Sequence, residues 1–395
     1  MAAIRTRARK SYEGVAVCVP VTVPYKRYSM QTAHWWIGRA LRALLDGAKL
    51  RAPDIDGLIV SSFSLAPDTA IGLTQHFGVS PRWLDHVPMG GASGVMALRK
   101  AARAVQAGDA DVVACIAGDT NHVDSFRRML SSFSRFAQDA VYPYGSGGPN
   151  ASFAMIMANY MRETGITRED CGKIAMAQRV NALKNLHALM RKPLSLSDYM
   201  DARPIADPIH LFDCVMPCAG AEAFLVMHED AAKSLGLASV RILSTIERHN
   251  AFATDPIQTR GGWRVDRDEF YAMAGLVPDA IDVVQTYDDY PVISLMQFAD
   301  LGLCEARGLP EFVRNNTFTH NGTCPHNTSG GQLSVGQAGC AGGFLGLVEA
   351  LRQLTNTADA RQVHDANVAL VSGFGMITYD RGLAACAALL ERMTP

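Results

Sequence analysis

Tyr287 is followed directly by two carboxylates, Asp288 and Asp289, and then by Tyr290, just after the apolar run Ile281–Thr286. A phenol beside a carboxylate is an acid–base pair. With an ordinary tyrosine pKa of about 10, such a pair moves a proton at neutral pH only if donors lower the phenol or the transfer is concerted. Three other loops carry groups of the same kind. The turn Val87-Pro-Met-Gly-Gly91-Ala92-Ser93-Gly94 joins an apolar run to a helical one. The segment His320-Asn-Gly-Thr-Cys324-Pro-His326-Asn327 runs into a glycine-rich stretch containing Gly330, Gly331, Gly336, Gln337 and Gly339. The last is Ser372-Gly373-Phe374-Gly375. His326 titrates near neutrality and is a second proton carrier. The Gln337 amide can donate to an oxyanion but cannot act as a base. The glycine-rich stretch has no Gly-Lys-Ser/Thr ending, so it is not a phosphate-binding P-loop. Cys324, His320 and His326 lack the paired Cys-x-x-Cys spacing of a zinc site, and no metal is expected.

Each residue also has a structural role open to it. Gly91 could be a turn glycine, and Tyr287 a packed aromatic at a strand end. Asp288 and Asp289 could cap the helix that begins near Pro291. His326 could be a hydrogen-bonded loop histidine.

Short Val- and Ile-rich runs at Val15–Val21, Ile55–Ser61 and Val112–Ala117 alternate with helical spacing over Met30–Ala48 and Ser93–Ala107. That alternation predicts a largely parallel sheet covered by helices, with functional loops at the strand ends. The rhythm breaks at about residue 120. It resumes near 238, with strands at Val240–Ile246 and Ile281–Thr286 and helices at Val292–Leu301 and Gly343–Leu354. Val368–Ser372 and Thr378–Leu389 close the chain as two strands or a strand and a helix. The expected organisation is an N-terminal half over 1–120 plus 221–238, an inserted loop domain over 121–220, and a C-terminal half over 239–395. Arg127, Arg128, Arg135 and Lys184 are candidates for meeting phosphates, although charge on a solvated loop is the default reading.

The 395 residues carry a net charge of −1, which gives no field favouring nucleic acid or an anionic membrane. No apolar stretch reaches the ~20 residues of a membrane span. Nine scattered cysteines and a basic N-terminus without an apolar run predict reduced thiols in the cytoplasm.

The ordered loops resemble those of the thiolase superfamily along nearly the whole chain, especially the sterol-carrier-type members. Asn327-Thr-Ser-Gly330-Gly331-Gln-Leu-Ser-Val-Gly336-Gln337 is similar to the family's Asn-Pro-Ser-Gly-Gly run ending in Gly-His-Pro. Leu194–Tyr199 with Arg203–Pro208, and Gly165–Asp170, resemble its loop-domain text. The implied fold is α/β: duplicated βαβαβαββ halves in a layered α-β-α-β-α sandwich. The departures fall at the chemistry. Where the family has its nucleophilic cysteine this chain has Gly91, and where it has the Gly-His-Pro histidine it has Gln337. Val371 stands at the second cysteine and Tyr287 at the Asn/His position.

Without a thiolate there is no acyl-enzyme, so thiolysis and condensation by the family's route are not expected. The resemblance instead points to the side-chain-cleaving aldolases of steroid degradation, in which tyrosine takes over. The implied reaction is retro-aldol cleavage of a β-hydroxyacyl-CoA, with a bulky or steroid side, to a ketone or aldehyde and a short acyl-CoA. Tyr287, Asp288 and His326 are the implied catalytic residues. Gly91, Ser93, Asp289, Tyr290, Asn327, Gln337, Gly373 and Phe374 are the implied oxyanion and substrate contacts. Gly91 would leave space for a bulky acyl group. No cofactor is expected beyond the coenzyme A of the substrate. A homodimer and a small accessory protein with an OB-fold and a zinc ribbon are implied as partners. Two other readings stay open: a noncatalytic acyl-CoA-binding scaffold, and a thiolase using Cys324 or Cys340.

Overall fold

The computed structural model describes residues 10–122, 139, 142–146 and 148–393. Strands β1 (Val15–Lys26), β2 (Gly57–Ser61), β3 (Trp83–His86) and β4 (Val112–Asp119) alternate with helices α1 (Ala33–Ala48), α2 (Ala70–Phe77) and α3 (Ser93–Ala107). The chain then leaves the sheet through α4 (Pro149–Thr164), α5 (Arg168–Leu183), α6 (Leu196–Met200) and the small ladder of β5 (Pro204–Ala206) with β6 (Ile209–His210). It returns as β7 (Ala219–His228), followed by α7 (Glu229–Ser234) and β8 (Ser239–His249). The remainder is α8 (Trp263–Ala274), β9 (Val283–Gln285), α9 (Pro291–Asp300), α10 (Leu309–Asn315), α11 (Gly331–Val335), α12 (Gly342–Leu354), β10 (Val368–Thr378) and β11 (Arg381–Arg392).

The sheet order β3-β2-β4-β7-β1-β8-β11-β10-β9 contains the same arrangement twice. β1 runs antiparallel to β7, which runs antiparallel to β4, which is parallel to β2. Likewise β8 is antiparallel to β11, β11 to β10, and β10 is parallel to β9. The counterpart of β3 is reduced to one parallel bridge, Val284 to His326. β1 and β8 pair antiparallel and join the halves at the centre, so the sheet is mixed and not largely parallel as expected. The closing segment is therefore two strands, β10 and β11.

α1 buries Trp36, Ile37, Ala40, Leu41 and Leu44, a 3.6-residue stripe. It begins at Ala33 rather than Met30, because the preceding backbone is held elsewhere. Ser29 N donates to Asn121 O (3.0 Å), and Thr120 Oγ1 donates to Gln31 O (2.6 Å). α3 and α12 pack on each other, and each touches strands of both halves, so they form the layer between them. Glycine allows that approach: a Cβ on Gly94 would stand 2.2 Å from Gly343 O. Among the described residues no helix is long and apolar enough to cross a membrane.

Candidate active site

The turn before α3 is fixed by Ser93, whose Oγ donates to Val87 O (3.0 Å) and accepts from Met89 N (2.9 Å). Ser93 is thus a backbone staple and is not in the wall of the cavity beside Gly91. Gly90 takes the left-handed conformation of the turn at φ +55°, whereas Gly91 is demanded by contact. A Cβ on Gly91 would lie 2.1 Å from Tyr287 Cε2 and 2.3 Å from Phe374 O. The room expected at Gly91 for a bulky acyl group is therefore already filled. The Tyr287 ring occupies it.

Tyr287 sits between β9 and α9, clamped by a buried amide. Gln297 Nε2 donates to Tyr287 O (2.7 Å), and its Oε1 accepts from Tyr287 N (3.3 Å) and Ser372 Oγ (2.6 Å). Asn327, at φ +42°, holds the preceding residue: Oδ1 accepts from Thr286 N (2.9 Å) and Nδ2 donates to Thr286 O (3.1 Å). Its role is to position the loop, and it does not line the cavity.

Asp288 turns away from the phenol. Oδ1 accepts from Gln332 N (3.0 Å) and Gln332 Nε2 (3.3 Å), and Oδ2 accepts from Leu333 N (3.4 Å). It ties down the first turn of α11, where backbone N–H groups lack intrahelical partners. Burial pushes its carboxyl up to about 6, against those three bonds. Asp288 therefore does not serve as the partner of the Tyr287 hydroxyl. Asp288→Ala is expected to cost about 1–3 kcal/mol, by leaving buried donors unpaired. Urea unfolding of the variant measures it, and a loss near zero would remove Asp288 from this role.

Gln337 Nε2 donates to both Tyr287 Oη (3.0 Å) and Asp289 Oδ1 (2.7 Å). Its two amide hydrogens are thereby engaged, so the amide expected to hold an oxyanion instead organises the acid–base pair. Burial, and then the Asp289 carboxylate, hold Tyr287 well above its ordinary value. The neighbours thus oppose ionisation of the phenol rather than promote it. Asp289 is the group in the neutral range. Burial raises it to about 7, the bond with Tyr287 opposes that rise, and the charge of Asp288 adds to it.

His326 lies behind this loop. It is fully buried, with Nε2 2.8 Å from Thr286 Oγ1 and the Phe298 ring centroid 4.8 Å from its own. Burial pushes it down to about 3, which keeps it neutral. It does not line the cavity, so its expected role as proton carrier is replaced by a packing role. Gly373 is also displaced from the expected contacts. It packs beneath the turn, where a Cβ would stand 2.6 Å from Gly91 O, and in this loop it is Gly375 that reaches the cavity wall.

The cavity holds about 290 Å³. Tyr287, Asp289 and Gln337 line one part of it, and Tyr290 and Phe374 also line it. Tyr290 lies 4.2 Å from Phe153, ring to ring, and Phe374 stacks on Trp263 at 5.7 Å. Its apolar walls include Phe63, Phe153, Ile205, Val215, Met376 and Ile377. Asp119 and Asn121 are among the lining residues that escaped the sequence reading. Asp119 accepts from Ser62, Phe63 and Ser64 on one oxygen and from Cys340 N (2.7 Å) on the other, which ties loops of both halves beside the cavity. Asn121 bonds Arg27 O and Pro217 O. The signal for both was position, since β4 ends at Asp119.

Cys324 and Cys340 line no part of this cavity. Burial pushes the Cys324 thiol up to about 12 and Cys340 well above the ordinary thiol value, which disfavours the nucleophilic thiolate. Lys184 Nζ lies 3.1 Å from His320 Nε2, and Arg127, Arg128 and Arg135 fall outside the described residues.

Residues 245–386 match the family model described as Thiolase C-terminal domain-like. The chain is 29% identical over 356 residues to the steroid side-chain-cleaving aldolase of Thermomonospora curvata, covering 86% of this chain and 90% of that protein. It is 28% identical over 363 residues to the 17-hydroxy-3-oxo-4-pregnene-20-carboxyl-CoA lyase of Mycobacterium tuberculosis, covering 86% and 92%. The solved Ltp2-ChsH2(DUF35) aldolase superposes with TM-score 0.84 at 25% identity, covering 96% of this chain and 98% of that one. Human mitochondrial 3-ketoacyl-CoA thiolase, at 15% identity and TM-score 0.70 over 97% and 100% of the two chains, shares the fold. The duplicated sheet, the loops it brings together and these likenesses agree: the chain has a thiolase-like fold and is similar to steroid side-chain-cleaving aldolases.

Proposed function

We propose that the protein is a lyase that cleaves a β-hydroxyacyl-CoA by a retro-aldol step, without a covalent acyl-enzyme. The observation that carries this reading is the Tyr287 ring seated on Gly91, beside Asp289 and in the wall of an apolar cavity. A steroid side-chain-cleaving aldolase and a pregnene carboxyl-CoA lyase each match 86% of this chain, which supports the same reaction class.

In the proposed step the Tyr287 hydroxyl takes the proton of the substrate β-hydroxyl while passing its own to Asp289. The phenol thus stays neutral, consistent with its raised pKa. The Cα–Cβ bond breaks, its electron pair passes into the thioester enolate, and the carbinol carbon becomes a ketone or aldehyde. Asp289 then returns the proton through Tyr287 to Cα, which gives the short acyl-CoA. The Gly91 N–H, at the positive end of α3, supplies a donor for the enolate oxygen. Such a donor is worth ~2.7–4 kcal/mol in comparable sites. Gln337 keeps the phenol and carboxylate in register. A steroid is the bulky fragment that best suits the likeness to the 17-hydroxy-3-oxo-4-pregnene-20-carboxyl-CoA lyase and the apolar walls.

The assembly is proposed as a homodimer of thiolase-like chains with a DUF35-type companion bearing an OB-fold and a zinc ribbon. Support comes from the name of the superposed Ltp2-ChsH2(DUF35) aldolase and from β3, one of the two edge strands of the sheet. The deciding assay offers steroidal and simple aryl β-tertiary-hydroxyacyl-CoA esters, with and without the companion. Wild type is expected to release ketone plus short acyl-CoA. Tyr287→Phe is expected to lose about 10²–10⁴-fold in kcat. Acyl-CoA binding without any turnover would instead support the scaffold.

A further inference from the structure

Gly90 is flanked by two apolar side chains, one from each half of the fold. A Cβ on Gly90 would lie 3.5 Å from Phe63 Cζ and 3.9 Å from Met376 Sδ. Phe63 follows β2, Met376 belongs to β10, and both line the cavity. Met376 is also 36% exposed and takes φ +59°, a backbone conformation that costs a residue with a side chain and suits glycine. Such strain persists where the surroundings hold it, commonly at ligand contacts.

We infer that Met376, with Phe63 beside it, is a specificity-determining residue that sets how bulky a carbonyl fragment the cavity accepts. The inference rests on the retro-aldol reading and adds to it the wall that reads the fragment. The choice of fragment follows from polarity. The pantetheine arm carries amides that need hydrogen-bonding partners when buried. The Phe63 and Met376 side chains offer no N–H, hydroxyl or carbonyl. The polar lining residues Thr120, Asn121 and Asn150 suit the arm better. The apolar part of the substrate therefore lies against Phe63 and Met376.

The test compares two β-tertiary-hydroxyacyl-CoA esters that differ only in the ketone released, one acetone-sized and one polycyclic. Met376→Gly removes the side chain and relieves the positive φ, so thermal unfolding should show no loss of stability. Its kcat/KM ratio, polycyclic over small, is expected to rise at least about tenfold, the scale of a changed apolar contact. Met376→Leu, similar in bulk, should keep the wild-type ratio. Phe63→Leu should shift the ratio in the same direction as Met376→Gly, and it reads the same wall if the glycine variant fails to fold. Wild type active on both esters, with the ratio unmoved in Met376→Gly and Phe63→Leu, would overturn this inference alone. Wild type inactive on both would overturn the retro-aldol reading beneath it.

Discussion

Gly91→Cys is expected to give neither a thiolase nor a working aldolase. The new Cβ would stand 2.1 Å from Tyr287 Cε2 and 2.3 Å from the Phe374 carbonyl oxygen, so ring and strand must both move. Overpacking a buried site of this kind costs about 1–3 kcal/mol. Displacing an acid–base group by about 1 Å costs on the order of 10²-fold in rate. Gly91→Ala should reproduce both losses, because the obstacle is the Cβ and not the thiol. A double-mutant cycle separates the two contacts. Tyr287→Ala in the Gly91→Ala background removes the ring clash and leaves the Phe374 carbonyl. It should therefore recover part of the stability, with a coupling of at least about 0.5 kcal/mol by urea unfolding. Strict additivity would mean that ring and glycine are independent, and the claim that one replaced the space of the other would fall. The expected result also explains why the cysteine position is not restored by one change: Gly91, Tyr287 and the Phe374 backbone fit as a set.

The halves of the fold were legible because strand and helix alternate with clear periods in both. The counterpart of β3 was not, because a single bridge at His326 leaves no pattern of two to read. The four loops could be named from strand ends and side-chain chemistry, but the direction of each side chain could not. Asp288 and Asp289 are adjacent and chemically identical in sequence. One ties down α11 and the other meets Gln337, a division set by which side of the loop each faces. His326 fails as a proton carrier for a reason that sequence does not carry. Its neighbours are Phe298, from α9, and Phe318, folded back from earlier in the same connection, and they remove the water that would stabilise the imidazolium. The partners of the Gln337 amide come from a loop about fifty residues away in sequence, and no local spacing encodes that.

Asp289→Asn is expected to lower kcat by about 10²–10⁴-fold while leaving the protein folded. The asparagine oxygen can still accept from Gln337, so the loop keeps that bond, and only the proton acceptor is lost. The pH dependence gives the second readout. Asp289 must be ionised to take the proton, and burial places it at about 7, so wild-type kcat/KM should rise with pH through about 7. The variant should lack that limb. Stability should move the opposite way. A carboxyl raised above its unfolded value contributes stability fully present below the unfolded pKa and lost as pH rises through the folded one. For Asp289 that loss runs from the ordinary aspartate value of 3.8 to about 7. The Asn variant should therefore gain stability relative to wild type on going from pH 5 to pH 8, while remaining almost inactive at both. Thermal unfolding and rate profiles on the same samples test the pair of signs. An acidic limb that survives in Asp289→Asn would move the base elsewhere. A variant that is inactive because it is unfolded would show the reverse stability order, so the two failures are told apart.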